Sequence, residues 1–258
     1  YYKAEGLDVT IKPGGPDIAP AQVLAAKGAD LTVDWMPSAL AAREAGVPMV
    51  NVAQIFNRSG LMLTCKKAAG VNTSKDFKGK TIGVWFGGNE YPFLSWMSKL
   101  GLPTTGGADG VTVLKQGFNV DPLLQKQADC ISTMIYNEYW QIIDAGVKES
   151  DLVTFYYEDQ GVATLEDGLY ALAPKLKDPA FVAKMGKFVA ASMKGWEYAL
   201  KNQDEAVKIV LAADTSGGST AAVQKRQLEN VAKLITVANG PKMGFLEPAA
   251  YQRTMKVL

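Results

Sequence analysis

The sequence predicts an α/β protein of two lobes, with two mostly parallel sheets flanked by helices, two hinge crossovers and a ligand cleft between the lobes. Three observations lead there. Short apolar runs alternate with helical patterns as far as residue 172, which is how strands joined by helices read. One strand–helix–strand pattern occurs twice. From residue 178 onward only helical patterns follow, so one lobe is expected to take both ends of the chain.

The first copy of the repeat is Ala29-Asp30-Leu31-Thr32-Val33-Asp34-Trp35, a helical run and Ala45-Gly46-Val47. The second is Ala128-Asp129-Cys130-Ile131-Ser132-Thr133-Met134-Ile135-Tyr136-Asn137-Glu138-Tyr139, a helical run and Ala145-Gly146-Val147. Ala29 to Ala128 is 99 positions and Ala45 to Ala145 is 100. Each copy reads strand, aromatic and polar elbow, helix, strand.

In chain order, Tyr1-Tyr2-Lys3-Ala4-Glu5-Gly6 reads as a helix end with a glycine cap. Strands are expected at 7–11, 31–35, 49–54, 61–65, 81–85, 111–114, 130–135, 152–156 and 168–172, and helices at 16–27, 37–45, 90–100, 122–127 and 137–145. Asp178-Pro179 opens a long helix on which Phe181, Met185, Phe188, Ser192 and Trp196 form one stripe. Helices at 204–213, 220–237 and 248–258 follow, separated by turns at Ser216-Gly217-Gly218-Ser219 and Asn239-Gly240-Pro241. The apolar runs 59–66 and 166–173 are the expected crossovers. Residues 1–62 and 169–258 then form one lobe and 63–168 the other.

Composition narrows the function. The chain has 258 residues, 48% hydrophobic and 21% charged, with a net charge of +1. That is an ordinary globular balance with no field for polyanions, so nucleic acid is not an expected partner. No apolar run reaches the roughly 18 residues of a membrane span. There is no histidine, which removes the commonest general base and transition-metal ligand, so neither a metal nor a cofactor is expected. Cys65 and Cys130 read as two buried free thiols. The chain opens on Tyr1 rather than methionine, as a mature or truncated product would.

Ligands of open α/β sheets bind beyond the carboxyl ends of the strands, and three such ends are loaded. At the first, Trp35 offers a stacking face and Asp34 or Ser38 a polar contact, or Trp35 packs on its own helix. At the second, Trp85, Gly87, Gly88, Asn89, Glu90 and Tyr91 precede a helix; the glycines let backbone N–H groups approach a ligand, while Glu90 also suits the helix dipole. At the third, Tyr136, Asn137, Glu138 and Tyr139 set aromatic rings around an amide and a carboxylate, with Trp140 and Ile143 facing inward. Phe56 and Asn57, in the 54–59 loop, join the candidates. The 159–162 loop and Gly14-Gly15-Pro16-Asp17 are weaker ones. Aromatic faces with a carboxylate suit a flat, amino-substituted heterocycle. An oxyanion would want arginines, and only Arg58 lies near an elbow.

These residues resemble the NMT1/THI5-like (thiamine-pyrimidine-precursor type) solute-binding proteins of ABC transporters. The match rests on Tyr2-Lys3-Ala4-Glu5-Gly6-Leu7-Asp8-Val9, on Lys27-Gly28-Ala29-Asp30, on Asp76-Phe77-Lys78-Gly79-Lys80-Thr81-Ile82-Gly83-Val84 and on Tyr136-Asn137-Glu138-Tyr139. It implies a type 2 periplasmic-binding-protein fold and a monomer outside the cytoplasm, free or lipid-anchored. It also implies capture of a thiamine-pyrimidine-like heterocycle and its delivery to a cognate ABC permease. Family chains usually begin earlier, with a strand and helix that help line the cleft. Alternatives are a binding protein for a sulfonate or nitrate, or a sensor domain. Eukaryotic members synthesise the thiamine pyrimidine with an active-site histidine and a cysteine-rich motif; this chain has no histidine and no cysteine cluster.

Overall fold

The computed structural model describes all residues except Pro16, Ser216, Gly218 and 237–241. In chain order the elements are α1 (Pro20–Ala25), β1 (Thr32–Trp35), α2 (Met36–Glu44), β2 (Met49–Gln54), β3 (Leu61–Lys66), β4 (Thr81–Val84), α3 (Glu90–Lys99), β5 (Thr112–Lys115), α4 (Asp121–Leu124), β6 (Cys130–Met134) and α5 (Glu138–Asp144). Then follow β7 (Leu152–Tyr156), β8 (Asp167–Leu172), α6 (Pro179–Lys201), α7 (Gln203–Ala213), α8 (Ala221–Ile235) and α9 (Pro248–Val257). Two compact units result. The first is Tyr1–Trp35, Ala39–Asn57 and Glu166–Glu247; the second is Met36–Ser38, Arg58–Leu165 and Pro248–Leu258. The middle unit thus begins a few residues before the expected position 63 and ends before 168. It also takes α9, through Leu165 N–H, which donates to Thr254 Oγ1 at 2.9 Å.

The two sequence copies fold alike. In each, the helix stops on the same signal: Gly46 N–H donates to Arg43 and Val47 N–H to Ala42, while Gly146 N–H donates to Ile143 and Val147 N–H to Ile142. The glycines have φ of 98° and 89°, where a side chain would be strained. The sheets share a further property. The first unit's sheet has the order β1-β8-β2 and the second unit's has β5-β4-β6-β3-β7. Strand β8 pairs antiparallel with both β1 and β2, and β3 pairs antiparallel with both β6 and β7. The strand that enters the second unit and the strand that returns to the first are each inserted between the two strands of a repeat. The expected mostly parallel pairing therefore holds only for β5-β4-β6. The three-stranded sheet has antiparallel ladders alone.

Residues 7–11, expected as a strand, form none; Ile11 is 80% exposed. The segment alternates in polarity as a strand would, but a strand exists only with a partner for its N–H and C=O groups, and β1 pairs with β8 alone among the described residues. The helix expected from 16 begins only at Pro20. The Gly14-Gly15-Pro16-Asp17 turn and the two C-terminal turns include residues outside the described ones.

In the first unit, Asp178 caps α6 by accepting from Ala180 N–H at 2.9 Å. The predicted stripe of α6 faces inward: Tyr2 stacks on Phe188 at 4.9 Å and Phe56 meets Trp196 edge-on at 6.4 Å. In the second unit, Phe77, Trp96, Phe155 and Tyr157 form one aromatic cluster with centroid distances of 5.1–5.9 Å, and β3 is buried from Leu61 to Cys65.

Cys65 and Cys130 are not free thiols. The β3–β6 register sets them directly opposite, Cα atoms 4.0 Å apart, and they form a disulfide. Sequence could not supply the register of two strands that are 65 positions apart. Removing the bridge with Cys65→Ala/Cys130→Ala frees a loop of that length in the unfolded chain. The chain-entropy account predicts a loss of about 4 kcal/mol. Denaturant titration of the oxidised protein and the double variant checks this; equal midpoints would contradict it.

Candidate functional site

Strands β5, β4 and β6 run parallel, so their carboxyl ends share one edge of the sheet and deliver three neighbouring loops, 116–119, 85–89 and 135–137. The β4–β6 ladder is short, with pairs only at Ile82–Cys130 and Gly83–Ile131. Buried Gln116 extends the connection: its Nε2 donates to Ser132 O at 2.9 Å, and its Oε1 accepts from Ser132 N–H at 2.9 Å. Ser132 Oγ in turn donates to Gly83 O at 3.1 Å. Gly83 must lack a side chain here, because a Cβ would lie 2.9 Å from Gln116 Oε1.

Above this clamp the predicted residues separate by role. Trp85 is a pillar rather than an exposed face: it is buried, with Nε1 donating to Gly117 O at 2.9 Å and its ring meeting Phe118 edge-on at 6.4 Å. Outside it stand two rings, Phe86 at 49% and Phe118 at 62% exposure. Gly87 and Gly88 adopt φ of 92° and 120°. The Gly88 N–H, expected to face a ligand, donates to Glu90 Oε2 at 2.7 Å. Asn89 and Tyr91 are half-buried beside it.

The third elbow is likewise closed on itself. Glu138 is 5% exposed; its Oε2 accepts from Met134 N–H at 3.0 Å and its Oε1 from Asn137 Nδ2 at 2.9 Å. Burial raises its pKa above the usual carboxylate range, and those hydrogen bonds offset part of the shift. Asn137 also accepts from Gln141 Nε2 at 3.1 Å. Tyr139 and Ile143 pack on the core beneath α5, and Trp140 Nε1 donates to Ile135 O at 2.9 Å. Tyr136 and Asn137, like Ile135, Tyr139 and Trp140, keep half-buried surface at this elbow.

In the first unit, Asp34 is buried and its Oδ1 accepts from Trp35 N–H at 2.9 Å, while the Trp35 ring is half-buried. Ser38, half-buried, belongs to the second unit. Phe56 is core, against Trp196. Asn57 anchors the segment ahead of α9, donating to Phe245 O at 2.8 Å and accepting from Glu247 N–H at 3.0 Å. In the 54–59 and 159–162 region, Arg58 binds Glu158 at 2.8 Å and Ser59 N–H donates to the same carboxylate.

Two residues escaped the sequence reading. Phe118 follows β5, a fourth carboxyl end to which the same rule applies. Asp167, the first residue of β8, looked like part of a connector. Its residue keeps some exposure, but desolvation of its carboxyl group pushes the pKa up to about 6.

A sheet edge loaded with elbows, and a returning strand inserted in each of two sheets, define the class: an α/β fold of the periplasmic-binding-protein kind. The fold matches that of the periplasmic aliphatic sulphonate-binding protein SsuA of Escherichia coli with a TM-score of 0.67, over 92% of this chain and 71% of that one, at 14% identity. The chain belongs to the NMT1/THI5-like family, whose model matches residues 1–206. It is 25% identical over 217 residues to the formylaminopyrimidine-binding protein of Halalkalibacterium halodurans, covering 82% of this chain and 62% of that protein. It is 27% identical over 219 residues to the riboflavin-binding protein RibY of Chloroflexus aurantiacus, covering 82% and 59%. The chain thus spans about three-fifths of the length of these relatives.

Asp167 makes stability pH-dependent. Its folded pKa of about 6 lies above the ordinary 3.8, so the folded state holds the proton over a range where the unfolded chain has lost it. The contribution of Asp167 to stability is highest below about pH 4 and falls as pH rises to about 6, by up to about 3 kcal/mol. Chemical denaturation of wild type and Asp167→Asn across this range checks it: the variant is expected to gain relative to wild type from pH 4 to 6. A constant difference would contradict the account.

Proposed function

We propose that this chain is the ligand-binding component of an ABC importer, capturing a small planar heterocycle related to the thiamine pyrimidine and passing it to a membrane permease. The observation that carries the reading is the exposed aromatic pair Phe86 and Phe118 at adjoining strand ends, with half-buried Tyr136 on the next. Large rings left exposed where ligands of open sheets bind are costly unless something covers them, and a flat ring stacks on them well. The relatives named for a formylaminopyrimidine and for riboflavin, both ring compounds, agree with this class.

Two arrangements weigh against a sulfonate or nitrate. The turn N–H that an oxyanion would use already binds a carboxylate, at Glu90, and Arg58 is paired with Glu158. Binding by stacking and hydrogen bonds needs no catalytic group, so we assign no reaction. The disulfide fits an oxidising compartment outside the cytoplasm, and no described helix is long and apolar enough to cross a membrane.

Thermal melting with 4-amino-5-hydroxymethyl-2-methylpyrimidine, riboflavin, an alkanesulfonate and nitrate tests the reading. A ligand at a hundred times its Kd adds about 2.7 kcal/mol to the folded state, so a bound ring compound raises Tm by several degrees. Stabilisation by the sulfonate or nitrate alone would overturn the reading. Phe118→Ala is expected to weaken the ring compound about 2- to 10-fold, the worth of one aromatic contact, and, through the lost contact with Trp85, to lower Tm of the free protein by no more than a few degrees. Unaltered affinity would remove Phe118 from the site.

A further inference from the structure

The carboxylates expected to meet a ligand are committed to their own elbows: Asp34 to Trp35 N–H, Glu90 to Gly88 N–H, and Glu138 to Met134 N–H and Asn137. Asp167 is not. Among the described residues no donor hydrogen-bonds to its carboxylate and no cation pairs with it, although burial desolvates the group. A desolvated carboxylate without a partner is costly and calls for one.

Its backbone is held rigidly. Gln54, fully buried, donates from Nε2 to Phe56 O at 2.8 Å, to Glu166 O at 2.9 Å and to Asp167 O at 3.4 Å. Asn51 Nδ2 fixes the other end of that amide at 2.9 Å. A bulge between Asn51 and Ala53 brings these residues, three apart, to one face of β2. They lie against Gly168, where a Cβ would come within 2.5 Å of Gln54 Oε1. This amide pair and the missing side chain determine where β8 begins. Across the ladder, Asp167 is the register partner of Trp35 at the carboxyl end of β1. Paired residues of an antiparallel ladder place their side chains on one face, with Cβ atoms about 5 Å apart.

We infer that Asp167 is the acidic ligand contact of the first unit, accepting hydrogen bonds from an amino group or protonated ring nitrogen of a heterocycle that lies against Trp35. The inference rests on the heterocycle reading above and deepens it. The ligand must carry a donor or positive charge, which selects amino-substituted rings over neutral or anionic ones.

Calorimetric titration of wild type and Asp167→Asn with 4-amino-5-hydroxymethyl-2-methylpyrimidine and with its analogue lacking the 4-amino group tests this. The substitution is expected to weaken the amino compound about 10- to 100-fold, as for loss of a charged hydrogen bond, and the analogue less than about 3-fold. Asparagine removes a desolvated charge, so the variant is expected to melt no lower than wild type, and lost affinity is then not lost fold. Equal weakening of both compounds, or no weakening of either, overturns the assignment while leaving the heterocycle reading intact. A wild-type protein that binds neither compound overturns both.

Discussion

The structure depends on one pairing constraint, the insertion of a strand from elsewhere in the chain between the two strands of each repeat. Strand β8 joins β1 to β2 and β3 joins β6 to β7. Neither repeat can satisfy its own backbone, because its two strands run parallel with a gap of one strand between them. Filling that gap antiparallel completes both ladders. It also places Asp167 opposite Trp35 in one sheet and Cys65 opposite Cys130 in the other.

The elbows show how polar groups are shared between fold and function. A sharp strand-to-helix turn exposes N–H groups that must find acceptors. Here nearby side chains supply them, Glu90 for Gly88 and Glu138 for Met134. Those carboxylates rigidify the loops that display Phe86 and Tyr136, and they fill the places an anion would take. What remains for a ligand is mostly aromatic surface in the second unit and, in the first, the Asp167 carboxylate.

Much of this was legible in the sequence. The duplicated Ala-Gly-Val stops marked the ends of α2 and α5, because the left-handed glycine and its hydrogen bonds are local. Strands β2 and β7 fell where hydrophobic patterning put them. Long-range facts were not legible. Residues 7–11 carry a strand-like alternation without a strand, and the cysteines pair only through a register that no local signal encodes. The site was half legible. The strand-end rule picked out the loops that display Phe86 and Tyr136, but composition cannot tell a carboxylate aimed at a ligand from one aimed at its own turn. A local cue existed: Glu90 lies two residues after Gly88 and Glu138 four after Met134, spacings at which a side chain reaches back to a backbone N–H. Asp167 gave no such cue, since its isolation arises only when β8 is held by Gln54.

The most direct measurement is a crystal structure of the protein grown with 4-amino-5-hydroxymethyl-2-methylpyrimidine. The account predicts the ring against Trp35 at the carboxyl end of β1 and its amino group within hydrogen-bond distance, about 3 Å, of the Asp167 carboxylate. A ring bound away from that strand end, with Asp167 still lacking a partner, would contradict it.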